Sequence, residues 1–250
     1  MAESERWLWL GGSLLLAVIA TQVAWWLWRR EKSRTTLERA VRSPFFAPLY
    51  QLVWLLYTVG LPIAALIAGH DAVVARLLGL QPLVGLDPAA SWNDWARDVG
   101  WAVALGAAAW AVLVAGWRAT WRSGRLGRPE GAQTPAWALL LAAVGHETHW
   151  AFYRNAPVVV LGPYWGTWAG LGLIALEAAL NPWWRSDLRE RERAPQALLR
   201  AGLAVLSAAI YLQTTNLWLA VLVHWLITWG LAAWARALAE RAPLTRPEVP

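Results

Sequence analysis

Apolar residues run along this chain in long blocks rather than in the alternating or three-four spacing of soluble elements. The blocks cover Trp7–Trp28, Pro48–Ala68, Val99–Trp117, Pro135–Tyr153, Tyr164–Leu180, Leu198–Leu212 and Leu217–Trp234. About 20 predominantly apolar residues suffice for a helix to cross a bilayer, so each block reads as a membrane span, the sixth being the shortest. The first is too long for a cleaved signal peptide, lacks a basic leader, and ends in Trp25, Trp26 and Trp28 instead of a small-residue cleavage site. The pattern predicts an all-α, polytopic transmembrane helical bundle of about seven spans, with residues 1–250 forming a single integral membrane domain. Between the second and third blocks, the stretch 69–98 carries Val73, Val74, Leu77, Leu78 and Leu80 at helical spacing until Pro82 and Pro88 break the run. That stretch reads as a short helix in the interface or as a capping loop containing a solvated His70.

The loops set the orientation. Of the 22 Lys and Arg residues, 18 fall in 29–47, 118–134, 183–200 and 235–250, and only Arg6, Arg76, Arg97 and Arg154 fall in the alternate loops. The positive-inside rule places the first set in the cytoplasm. The N-terminus is then outside and the C-terminus cytoplasmic, as an odd number of spans requires, in a multi-pass protein of the cell's inner membrane. The formal charge of +6 therefore reflects topology; nucleic acid is not an expected partner, and the lipid bilayer is.

Composition agrees and excludes some chemistry. The chain is 58% apolar and 15% charged, against roughly 45–50% and about 25% for soluble domains. Its 22 Trp suit the headgroup level of a bilayer, although Trp54, Trp110, Trp225 and Trp229 lie deeper. With no Cys, disulfides, thiolate metal sites, Fe–S clusters and a Cys nucleophile are ruled out. The single Lys32 lies in a polar loop, which rules out a retinal Schiff base. Gly166 and Gly170 form a small-xxx-small face for close helix packing.

Polar groups at bilayer depth are costly and therefore few. Span four carries His146, Glu147, Thr148 and His149 and ends in Tyr153-Arg154; span five carries Glu177, with Asn181 at its end; span seven carries His224 and Thr228. Glu147 and His224 lie at comparable depth from the outer ends of their spans, so they share a site if the spans are neighbours. Arg154, two turns beyond Glu147, is expected at the outer rim. Three chemistries can use such a set. A carboxylate facing an imidazole can activate water, with an Arg stabilising an oxyanion. Histidines with a carboxylate can hold a metal, although the histidines of His146-Glu147-Thr148-His149 are three apart, not the four of a zincin, and no metal ligand set is assigned. His146, His149 or His224 can serve as an axial ligand to haem or a chlorophyll-type pigment, the cofactor itself being unknown. The plain alternative is interhelical hydrogen bonding.

The run Thr215-Asn216-Leu217-Trp218 through His224 resembles the last motif of the CPBP family of CAAX-type prenyl-protein endopeptidases and bacteriocin-processing enzymes. Tyr153-Arg154 resembles the ending of that family's E-E-x-x-x-R motif, and the resemblance covers 135–235. It implies that Glu147, His149, Arg154 and His224 are the catalytic set if the chain is active, with the motif glutamate and histidines activating water. Five motif positions differ: His149 and Trp150 stand at the Glu pair, Glu177 and Asn181 at the Phe and His of the middle motif, and Thr228 at the final Asn. These departures point to a member that has lost peptidase activity and serves as an accessory or scaffold subunit among other membrane-protein subunits, in a complex that can include pigment or haem. The alternative expectation is a divergent intramembrane endopeptidase of the same type.

Overall fold

The computed structural model describes residues 3–68, 91–122 and 134–241. Most of the stretch 69–98, with its expected interfacial helix and His70, lies outside the described residues. The described chain is built from α1 (Glu3–Arg29), α2 (Glu31–Val41), α3 (Phe46–Leu55), a π-helical turn (Leu56–Gly60), α4 (Leu61–Ala68), α5 (Trp92–Arg122), α6 (Ala136–Leu180), α7 (Pro182–Arg189), α8 (Ala194–Thr214) and α9 (Leu217–Arg241). Six of the helical stretches are long and apolar enough to cross a membrane: Glu5–Arg29, Phe46–Ala68, Trp92–Gly116, Ala136–Leu180, Ala194–Thr214 and Leu217–Ala237. The chain is thus an all-helical, multi-pass membrane protein in its described parts. Large apolar side chains such as Leu8, Leu15, Val53, Val103 and Val112 stand exposed on α1, α3 and α5, as a lipid-facing surface requires.

At 45 residues, α6 would extend roughly 67 Å if straight, about twice the thickness of a hydrocarbon core. It is not straight. Gly162 has φ 78° and ψ 171°, a backbone region open essentially to Gly alone, and Pro163 follows it. The second arm, residues 163–180, folds back along the first, residues 136–161. A Cβ built on Gly166 would lie 2.3 Å from Val158 Cα, and one on Gly170 would lie 2.7 Å from Arg154 Cα. Both contacts are backbone to backbone, so the small-xxx-small pair is the seam of an antiparallel hairpin. The span boundary expected at Tyr153 moves to Leu161: the helix passes through Arg154, Asn155 and Pro157, all buried. Similarly, α5 begins at Trp92, so Arg97 and Asp98 belong to a helix and not to the preceding connection.

The first arm of α6 is the hub of the bundle. One apolar core joins Trp150 to Leu203, Leu206 and Ile210 of α8 and to Val223, Ile227 and Leu231 of α9. A second core joins Ala151, Phe152, Tyr153 and Ala156 to Leu10 of α1 and to Ala65 and Leu66 of α4. Positions 150 and 152 lie about 200° apart at 100° per residue, which lets one helix serve both cores. The deep tryptophans fill notches left by glycine: Trp54 lies where a Cβ on Gly145 would be, 2.1 Å from its ring, and Trp110 stands in the same relation to Gly230 at 2.7 Å. Trp225 Nε1 donates to the Ala136 carbonyl at 2.9 Å.

Candidate functional site

Glu147 points from the hub helix toward α8 and α9 and is 1% exposed. A lone carboxylate there would be prohibitively desolvated; here each oxygen has a partner. Oε1 lies 2.9 Å from His224 Nδ1, and Oε2 accepts a short hydrogen bond from Ser207 Oγ. Arg154 Nη1 in turn donates to Ser207 Oγ at 3.0 Å. The guanidinium lies over the Tyr211 ring, 4.8 Å from its centroid, and Arg154 is 2% exposed. Seven residues along a helix return nearly to the same face, so Glu147 and Arg154 address the same groove and Ser207 bridges them. The expected place of Arg154 at the outer rim is therefore corrected: the helix continues two turns beyond it and encloses it. Its Nε and Nη2 are buried without hydrogen-bond partners among the described residues.

His146 and Trp150 complete the wall around His224. The His146 and His224 rings stack at 5.9 Å and 7°, and Trp150 stacks on His224 at 5.5 Å and 21°. Trp54 meets His146 edge-on at 5.6 Å. Glu147 and His146 thus both meet His224, the one by a polar contact and the other by ring stacking.

His149 goes elsewhere. Two residues from Glu147 it is turned about 200°, onto the other face of the hub. There its Nε2 lies 2.9 Å from Glu177 Oε2 on the returning arm. Tyr57 donates to Glu177 Oε1 at 3.2 Å, lies 3.4 Å from the Tyr153 hydroxyl, and accepts from Ser13 Oγ at 3.3 Å. The π-helical turn aims Tyr57 at this cluster; such single-turn insertions recur at functional sites. The expected single catalytic set of Glu147, His149, Arg154 and His224 is therefore two clusters, back to back on one helix, each with its own carboxylate and imidazole.

The motif departures each have a structural occupation. Trp150 packs on His224. Asn181 caps α7, its Oδ1 accepting from Trp183 N at 3.0 Å. Thr228 Oγ1 donates to the His224 and Trp225 carbonyls of its own helix, both at 3.0 Å. Among the described residues no group of three His, Asp or Glu is arranged to hold a metal ion. For a haem or pigment the geometry offers His149 Nδ1, buried and without a hydrogen-bond partner, whereas His224 is enclosed by Trp150 and His146. Ser207, Tyr57, Ser13 and Tyr211 were not singled out by sequence. The available signal was a lone Ser in each of the apolar stretches 7–28 and 198–212.

Comparison with protein-family models, with curated proteins and with solved structures finds no match to this chain.

Proposed function

We propose that this chain is a CPBP-like protein of the inner membrane that no longer hydrolyses peptides and serves as an accessory or scaffold subunit of a membrane complex. Counting the two arms of α6 separately gives seven crossings, with the N-terminus outside and the C-terminus in the cytoplasm. The observation that carries the reading is the state of Glu147. A general base must reach a water within hydrogen-bond distance, yet Glu147 is 1% exposed and each of its oxygens already has a partner, His224 or Ser207. Thr228, where the resemblance places the oxyanion-holding Asn, gives its proton to its own backbone, and Asn181, where it places a motif His, caps a helix. What remains is a polar keystone that fixes α6, α8 and α9 in register while apolar faces stay available for lipid and partner helices.

The hydrolase reading draws on a different observation. Glu147 and His224 lie 2.9 Å apart, and Arg154 holds two buried donors without partners, a set that serves acid–base catalysis once the groove opens to water.

Purified protein in vesicles, given a quenched fluorescent membrane peptide, separates the two. The expected result is no turnover above that of the Glu147→Gln variant. Turnover that disappears in both Glu147→Gln and His224→Ala, with thermal unfolding unchanged, restores the hydrolase.

A further inference from the structure

An open cavity of about 260 Å³ lies in the corner between α7 and the first turns of α8, lined by Trp183, Asp187, Arg193, Gln196, Ala197 and Arg200. Its charged groups are unequally committed. Arg193 is shared between Glu190 at 3.2 Å and Asp187 at 3.6 Å. Arg200 makes no hydrogen bond or ion pair with any described residue and stands exposed at the rim. Arg193 thus already faces two carboxylates, and Arg200 is the uncommitted guanidinium of the lining.

The surroundings point to the membrane surface. Trp183 packs edge-on against Trp25 at 4.8 Å and Trp28 at 5.8 Å. Arg29 lies over the Trp25 ring at 5.9 Å and Arg34 over Trp28 at 5.4 Å. Tryptophan and arginine gathered where α1 ends and α7 begins are the composition of a headgroup layer, and a basic recess between helices at that level suits an anionic headgroup. The planar guanidinium fork matches phosphate oxygens two at a time.

We propose that this cavity binds the phosphodiester headgroup of an anionic membrane lipid, with Arg200 taking the phosphate and Trp183 flanking it. A singly charged phosphodiester pairs with the one uncommitted guanidinium of the lining, that of Arg200. A doubly charged free phosphate would overshoot it beside Asp187, so the lipid is the better-matched source.

Native mass spectrometry of the protein released from vesicles of equal phosphatidylglycerol and phosphatidylcholine tests this. The protein should retain phosphatidylglycerol preferentially. Loss of one charge-assisted contact predicts about tenfold weaker retention in Arg200→Gln. Arg200→Lys, which keeps the charge and loses the fork, should fall between, and Asp187→Asn should retain more than the unaltered protein. Millimolar inorganic phosphate should displace nothing. Equal retention of the two lipids, equal retention by Arg200→Gln and the unaltered protein, or displacement by inorganic phosphate would each overturn the proposal. Should Arg200→Gln fail to fold, an unchanged lipid profile in Asp187→Asn overturns it as well.

Discussion

Among the described residues Arg154 makes one hydrogen bond, to Ser207, and is held as well by the neighbouring carboxylate of Glu147, all within a nearly sealed interior. Removing one member of such a buried pair strands the other, at a cost of about 3–5 kcal/mol, whereas replacing both with apolar side chains is far milder. Arg154→Leu and Glu147→Leu are each expected to destabilise the protein strongly, and the double variant by clearly less than their sum; detergent unfolding of the four proteins gives the coupling. Part of this site is legible in sequence, because a carboxylate and a histidine in lipid-length apolar blocks must find company. Arg154 reads as a loop residue for the same reason: its compensation comes from Ser207, 53 residues on, and a lone Ser carries no sign of such a role. His149 and Glu147 read as one site because they are close in sequence, yet two residues are enough to turn them onto opposite faces.

Among the elements, the hairpin of α6 depends on three glycines with different duties. Gly162 supplies a positive φ, and Gly166 and Gly170 remove side chains where two backbones meet. A Cβ added on Gly172 meets nothing within 4 Å. Gly166→Ala and Gly170→Ala should therefore each cost at least the roughly 1–3 kcal/mol typical of overpacking, while Gly172→Ala should be neutral or slightly stabilising, since Ala is the better helix former by about 1 kcal/mol. Urea or thermal unfolding of the three variants checks the contrast. The seven apolar blocks and the glycine face are visible in the sequence; the true helix end is not, because Arg154, Asn155 and Pro157 interrupt the apolar run and only tertiary partners allow the helix to pass through them. The π-helical turn leaves no trace in hydropathy, as one inserted residue shifts the helical phase without altering composition.

At the scale of the whole molecule, the proposed orientation rests on where arginine accumulates, and the Cys-free sequence allows a direct check. Tyr164, 58% exposed at the turn of the hairpin, and Arg193, exposed at the start of α8, lie at opposite ends of a pass. Replaced singly by Cys in intact cells, position 164 should react with a membrane-impermeant maleimide at once, and position 193 only after permeabilisation. The reverse pattern inverts the topology and makes the Glu147 groove face a cytosolic substrate.

The bridge from α6 to Ser207 and His224 also sets a schedule. Ribosomes deliver Glu147 and Arg154 well before α8 and α9 exist, so the hub enters the membrane carrying a carboxylate and a guanidinium whose permanent partners have not yet been synthesised. Until those helices arrive, the two charges must shelter against each other, against water, or against the insertion machinery. The hub's polar partners are complete only once the last two helices, in the final quarter of the sequence, have been made.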